Sequence, residues 1–404
     1  MGSIVGFLVF LLFLAALLRV DFYFYLFYLS VGVLAVGRLW AWRAARQVSY
    51  RRLYPERVFW GERPQVGLEL HNRGHLPVLW LHAHDSLPIE LRSPNFFEHV
   101  LSLKPRERVT LTYQLDCRRR GYWQLGPLAL QSGDLLGATP VSLAYERPDT
   151  LIVYPKIVPL AALGLPSYTP FGTLRSKQRI FEDPTRVAGV RDYVPGDSQR
   201  HIAWKTSAVL GRLQVKRYQP AIALDVTIFV DLSRASYRQT RVWPATELAI
   251  VVAASLANSL AERRQAVGLG TNGRDPLADD AEQGAYPPTI SPRKGRRALM
   301  RLLDLLARVE TSEGPELATL LPRETSHLAW GSTVVVVTGR VTDELFEALA
   351  GLRKGGFSLV LISVDPGAGF QAVRKRASRI GVPTYEVWEE PDLERWGSSA
   401  RRAV

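Results

Sequence analysis

Residues 224–233 read LDVTIFVDLS: seven residues that suit a strand buried on both faces, ended by Asp231. A helical pattern follows at once in PATELAIVVAASLANSLAERR (244–264), with Pro244 where a first helical position is expected. Two more strands apolar on both faces appear downstream, STVVVVT (332–338) and FSLVLIS (357–363). Between them lie the helical patterns RKGRRALMRLLDLLARVE (293–310) and DELFEALAGLRK (343–354). Alternation of such strands with helices predicts an α/β doubly wound parallel sheet over 221–390. Ligands of such sheets sit at the carboxyl ends of the strands, which places Asp231, Thr338 and Asp365 together.

The segments around this domain read as less structured. The polar, Pro- and Gly-rich crossing TNGRDPLADDAEQGAYPPTISPRKGRR (271–297) reads as a surface loop, with acid at Asp275, Asp279, Asp280 and Glu282 and base from Arg293 to Arg297. The end of the chain, 391–404, reads as a mobile, solvated tail.

Working toward the N-terminus, residues 55–145 change to period-two runs such as QVGLELHN, VLWLHAHD and RVTLTYQLDC, broken by NRGHLP, KPRE and RRRG. Alternation with turn residues about every ten positions predicts an all-β sandwich, Ig-like, over 45–150. His71, His75, His82, His84 and His99 cluster there, but only His82 and His84 share a strand face, and they read as surface histidines. The single cysteine, Cys117, excludes an intramolecular disulfide framework and any Cys-based zinc site, and reads as a small hydrophobe of the β-domain.

The first 44 residues read as a transmembrane helical hairpin. IVGFLVFLLFLAALL (4–18) and FYFYLFYLSVGVLAVG (22–37, with the span ending about 38) carry no charge and are separated by Arg19 to Asp21. Each run is slightly short of the roughly 20 residues a spanning helix needs, so Trp40 and Trp42 are expected at the interface. No basic residue precedes Arg19, unlike a cleaved signal peptide. Arg38, Arg43, Arg46, Arg51 and Arg52 crowd the exit of the second run, and positive residues stay inside, so two spans with both termini and the soluble body cytoplasmic are expected. The same arginines suit anionic headgroups.

One stretch of the remaining segment (151–220) is unlike its flanks: VRDYVPGDSQRHIAWKTSAVLGRLQVK, 190–216. As an enzyme site it offers His201 as base, Asp192 or Asp197 as the orienting acid and Ser198 or Ser207 as nucleophile, but no nucleophile elbow, His-Glu-x-x-His or phosphate loop accompanies them. As structure, VPGD is a turn, Asp197 or Ser198 suits a helix cap, and Ile202 and Trp204 read as buried anchors. As a binding surface, Arg191, Asp192, Tyr193, Gly196, Asp197, Arg200, His201, Trp204 and Lys205 offer the arginine and aromatic chemistry enriched in interfaces, suited to an acidic partner. The net charge of +13 permits anionic lipid, nucleic acid or acidic protein as partners, though no nucleic-acid-binding module appears, which makes nucleic acid the weaker of these.

CRRRGYWQLGPLALQSGDLLG (117–137), the 190–216 stretch and LDVTIFVDLS in that order resemble the bacterial family called domain of unknown function 58, whose C-terminal part is similar to a von Willebrand factor A domain. The resemblance spans essentially the whole chain and implies a bacterial plasma-membrane hairpin, a β-domain and a partner role beside MoxR-type AAA+ ATPases, hence a non-enzymatic membrane-anchored adaptor or scaffold. The alternatives are a hydrolase or metal-dependent enzyme using 190–216, or a protein that binds anionic lipid or nucleic acid. A von Willebrand A domain implies Mg²⁺ at Asp-x-Ser-x-Ser. Here the set would be Asp231, Ser233, Ser236 and Thr338, with Ala235 in the second Ser position and Arg340 where the loop after Thr338 often supplies an acid. These departures suggest that Arg340 pairs with Asp231 in place of the metal.

Overall fold

The computed structural model describes residues 2–18, 21–91, 97–133, 141–145, 148–160, 182–194, 199–220, 225–277, 286–367 and 369–399. The chain divides into two compact units, Met1–Lys156 and Ile157–Val404.

The first unit opens with two apolar helices, α1 (Gly2–Leu18) and α2 (Asp21–Arg46), which pack on each other. Phe10, Phe13, Leu17, Phe22, Tyr25, Tyr28 and Leu29 are exposed. α2 is long and apolar enough to cross a membrane, whereas α1 is shorter, at 17 residues. The last turns of α2 serve a different purpose: Ala41, Ala44 and Ala45 are buried where the helix meets the β-domain, and Trp40 Nε1 donates to the Pro77 carbonyl at 3.2 Å. Small side chains let the helix approach the strands closely, so the helix runs into the sandwich with no linker between.

Among the described residues ten strands form that domain: β1 (Val48–Leu53), β2 (Arg57–Phe59), β3 (Gln65–Asn72), β4 (Val78–Asp85), β5 (Glu98–Leu103), β6 (Arg108–Gln114), β7 (Gly121–Leu125), β8 (Leu128–Ser132), β9 (Val141–Tyr145) and β10 (Asp149–Tyr154). They pair in the orders β1-β3-β6, β2-β10-β7 and β5-β4-β8-β9 around one core. β3 shows the cause: Val66, Leu68, Leu70 and Asn72 alternate inward with half-buried residues between them. His82 faces out and hydrogen-bonds Glu98 at 2.8 Å. β10 pairs with β2 and β7, so the sandwich extends to Tyr154 and past the expected limit at 150.

In the core Arg52 is buried, its Nη2 2.6 Å from Asp85 Oδ1 and its Nη1 also paired with Asp149, while Tyr113 OH donates to Asp85 Oδ2 at 2.6 Å. Arg52 therefore does not belong with the arginines at the membrane exit. Strand alternation from Val48 turns it inward, and Asp85 compensates its charge.

The second unit holds an antiparallel pair, β11 (Glu182–Asp192) and β12 (Gln214–Pro220), with a short helix α3 (Trp204–Leu210) in the connection, and then the α/β domain. Its strands are β13 (Val226–Val230), β14 (Val267–Thr271), β15 (Ile290–Arg293), β16 (Thr333–Thr338), β17 (Ser358–Val364) and β18 (Thr384–Val387). The helices are α4 (Val242–Glu262), α5 (Arg296–Arg308), α6 (Leu317–Thr325), α7 (Asp343–Lys354), α8 (Phe370–Arg379) and α9 (Glu390–Ser399). The order is β15-β14-β13-β16-β17-β18, parallel except for the edge strand β15.

All five residues of β13 are buried, as a central strand requires. Phe229, Val334, Val336, Leu359 and Leu361 pack with α6, α7 and α8. α4 contacts β13, β14, β16 and β17 and is itself apolar and long enough to span a membrane, but it is mostly buried and serves as a core helix. Pro244 stands third in α4, one turn early enough to lack an intrahelical acceptor for its missing N–H.

Two expectations are corrected. Residues 391–399 continue α9 rather than a mobile tail: Leu393 is fully buried, and the Asp392 carboxylate accepts the Trp388 and Glu389 N–H groups at 2.9 and 3.1 Å, holding the helix start. The crossing after β14 is not wholly a surface loop, because Thr271, Asn272 and Asp275 are buried and Arg308 pairs with Asp275 at 2.8 Å.

Candidate functional site

The chain leaves β13 toward β14 on one side and β16 on the other, so the loops after β13 and β16 part at the topological switch point. Asp231 sits at that point, buried, with its N–H on the Val337 carbonyl. Its Oδ1 accepts Asn272 Nδ2 at 2.9 Å and the Ser233 N–H at 3.1 Å, and its Oδ2 accepts the Thr338 hydroxyl at 2.7 Å. Asn272 Oδ1 in turn accepts the Leu232 N–H at 2.7 Å, and Nδ2 also reaches the Pro315 carbonyl at 3.1 Å, which fixes which end of the amide faces Asp231. Tyr237 OH donates to the Asp231 carbonyl at 2.5 Å, and burial, reinforced by Asp231, pushes the phenol well above its usual range.

Of the set expected at a metal, Asp231, Ser233 and Thr338 stand together here, and Ser233 and Thr338 donate to the Asp231 carboxylate. Arg340 does not neutralise Asp231: its side chain is exposed at the mouth of a cleft and has no hydrogen bond or ion pair with Asp231. Neutral donors do the work instead. This set does not fit Mg²⁺, which demands several oxygen ligands in near-octahedral geometry. Both Asp231 oxygens are committed to donors, an amide nitrogen faces Oδ1, and Ala235 has no ligand atom. Gly339 follows Thr338, and a Cβ there would come within 2.4 Å of the Tyr237 ring, so no carboxylate can stand at that position without displacing Tyr237. Ser236 is half-buried and lines the cleft rather than bonding to Asp231.

The cleft, of about 570 Å³, lies beside this cluster. The loops after β13 (Ala235 to Gln239), β16 (Gly339 to Val341) and β17 (Ser363 to Gly367) line it, with Phe370 and Val373 of α8. Arg238 and Arg241 converge on Asp365 Oδ1 at 2.5 and 3.0 Å; both arginines are about half exposed and Asp365 is buried. Asp365 has a left-handed backbone, φ 49°, which Asp tolerates better than most residues, and its N–H donates to the Val387 carbonyl.

In the 190–216 stretch, Tyr193 N–H donates to the Leu213 carbonyl and Ala203 N–H to the Gln214 carbonyl, closing the connection onto its own strands. Ile202 is buried as expected, but Trp204 is 67% exposed and is no anchor. Position 204 starts α3, and helical spacing assigns the inward face to Ala203 and Ser207 instead. Asp192 binds Gln214 and Arg212, so Asp192 holds the hairpin rather than orienting a base. The Ser207 hydroxyl donates to the Ala203 carbonyl at 3.0 Å and accepts the Gln214 N–H at 2.8 Å, a structural role. Arg191, Arg200, His201 and Lys205 are exposed and Tyr193 is half-buried, whereas Gly196, Asp197 and Ser198 lie outside the described residues. Val194, Val209, Leu210 and Leu213 add exposed apolar surface to the same segment.

Asn272, Tyr237, Arg238 and Arg241 went unread in the sequence. Asn272 carried one signal: it directly follows a strand parallel to β13, so it stands at the same end of the sheet.

The fold is that of a doubly wound α/β domain in a chain that also carries a β-rich domain and two apolar helices. Residues 189–366 match the family described as "Protein of unknown function DUF58". Over 346 residues the chain is 24% identical to "Uncharacterized protein YeaD" of Bacillus subtilis (strain 168), covering 84% of this chain and 81% of that one. Among solved structures, the "von Willebrand factor type A from Catenulispora acidiphila" aligns at 14% identity over 46% of this chain and 43% of that chain, TM-score 0.29. The CARDB domain of the PF1109 protein from Pyrococcus furiosus aligns at 16% identity over 26% and 91%, TM-score 0.20.

Proposed function

We propose that the protein is a non-enzymatic, membrane-anchored adaptor that presents its α/β domain and the 182–220 hairpin to a protein partner. The observation that carries this reading is Trp204: an indole left 67% exposed on α3 beside Val209 at 81%, with Arg200 and Lys205 around it. A large aromatic amid arginine and lysine is the composition of an interface hot spot and suits an acidic partner. α1 and α2 serve as a two-span anchor in a bacterial plasma membrane, with Arg38, Arg43, Arg46 and Arg51 holding the body on the cytoplasmic side. Arg46 stacks on Trp42 at 3.8 Å, as suits an interfacial position. The family resemblance points to a MoxR-type AAA+ ATPase as the partner.

The test is recovery of the tagged full-length protein from native membranes in mild detergent, with mass spectrometry, for wild type and Trp204→Ala. Enrichment of an AAA+ ATPase that the folded variant loses supports the reading. An ATPase recovered equally with both would remove the hairpin from it, and no ATPase with either would remove the partner.

A further inference from the structure

We propose that the cleft at the carboxyl ends of β13, β16 and β17 is a binding site for an acidic peptide segment, whose carboxylate meets Arg340 and Arg238 and whose backbone N–H meets Asp365. The inference rests on the adaptor reading only in taking the ligand to be a protein segment; it concerns a surface other than the hairpin.

Arg238 and Arg340 line the cleft with a single carboxylate, Asp365, which Arg238 and the neighbouring Arg241 both pair, so the cleft retains unbalanced positive charge. Arg340 has no charge partner among the described residues, and Arg238 and Arg241 each keep donors beyond the one given to Asp365. An anionic group is the natural complement, and a carboxylate fits the planar guanidinium fork.

An independent observation points the same way. Asp365 lines the cleft but is buried, with a side chain only 3% exposed, and among the described residues its Oδ2 has no hydrogen-bond partner. A buried carboxylate oxygen without a donor is costly to leave unmet. In this proposal the half-exposed Arg238 and Arg241 turn from Asp365 Oδ1 toward the incoming anion, and the same ligand supplies a donor to the carboxylate in their place. A peptide supplies both groups at once, a side-chain carboxylate and a backbone N–H. Inorganic phosphate, although its dianion keeps one P–O–H donor, offers nothing to the apolar part of the wall.

The rest of the wall sets the neighbouring residue. The Tyr237 ring, Val341, Phe370 and Val373 are apolar, and Gly367 and Gly369 leave the backbone open to close approach. The preferred segment therefore has an acidic residue beside an apolar one.

The probe is a fluorescein-labelled peptide, Gly-Glu-Leu-Glu-Gly, titrated by anisotropy against the full-length protein in detergent at low salt. We expect saturable binding that weakens at least tenfold in Arg340→Glu, which melts like wild type because Arg340 is exposed. Arg301→Glu makes the same charge change on the exposed side of α5 and should leave binding intact. No saturable binding, equal weakening by Arg301→Glu, or competition by inorganic phosphate as effective as by unlabelled peptide would each overturn the proposal. Binding of the peptide is read without the partner ATPase, so its failure leaves the Trp204 test standing, and the converse holds.

Discussion

Asn272 Nδ2 donates to Asp231 Oδ1 at 2.9 Å, across the switch point of the sheet, while the other end of the same amide accepts the Leu232 N–H at 2.7 Å. One neutral side chain thus ties the β14 end to the β13 end and meets a buried carboxylate without bringing a charge. Asn272→Ala leaves two buried groups short of a partner, and the expected cost is about 2–4 kcal/mol, read as a lower thermal midpoint. Magnesium or chelator should move the midpoint of neither wild type nor variant. A magnesium-dependent rise in wild type would show that a cation displaces the donors around Asp231.

The pair Arg52 and Asp85 makes a sharper demand on stability. Burial alone would lower the Arg52 pKa, but Asp85, Tyr113 and Asp149 outweigh it and the net direction is upward, so the guanidinium stays charged inside the β-domain. Asp85→Asn removes the fully buried counter-charge and is expected to cost about 3–5 kcal/mol. Denaturant unfolding of the variant measures this; a loss of under ~1 kcal/mol would mean that Asp149 alone carries the compensation.

Much of this architecture was legible because it rests on periodicity. Val226 to Val230 and Thr333 to Thr338 are apolar on both faces, and residues with that pattern have one place to go, the middle of a sheet covered by helices. The α9 helix was hidden because what marks it among the described residues is a buried leucine, Leu393, and a capping carboxylate, Asp392, in a charged segment. The site was legible at Asp231 and Thr338, which end apolar strands. It was illegible at Asn272, which sits in a Gly- and Pro-rich run, and at Arg238 and Arg241, whose partner Asp365 is distant in sequence. Trp204 shows the complementary error, since aromaticity suggests burial, yet helix phase decides the face.

Cys117 offers a test of the β-domain by pH. The thiol is fully buried, and burial, with Asp116 and Glu62 adding to it, pushes its pKa up to about 12. The neutral thiol is favoured in the folded state, so this group's stabilisation is present below the unfolded thiol's pKa, near 9, and is lost as pH rises toward 12. Alkylation by iodoacetamide at pH 8 should be far slower in the native protein than in denaturant, because the thiolate is the nucleophile and is almost absent. Equal rates in the two states would show that the strands around Cys117 open readily.

Trp204 separates stability from recognition. Ile202, Ala203, Ser207 and Val215 supply the buried contacts of the connection, and Ser207 is doubly hydrogen-bonded, so truncating Trp204 removes surface and nothing that holds the hairpin. Trp204→Ala should therefore shift stability by no more than ~0.5 kcal/mol. Val215→Ala, at a side chain only 3% exposed, should cost more by opening a cavity. If the exposed indole is a hot spot, Trp204→Ala weakens capture of the partner at least tenfold with the melting curve unchanged, whereas Val215→Ala weakens capture only as far as it unfolds the hairpin. Intrinsic fluorescence gives the structural half of the comparison: an indole this exposed is open to iodide quenching, and the partner should shield it. Quenching that is the same with and without bound partner would place the interface elsewhere on the α/β domain.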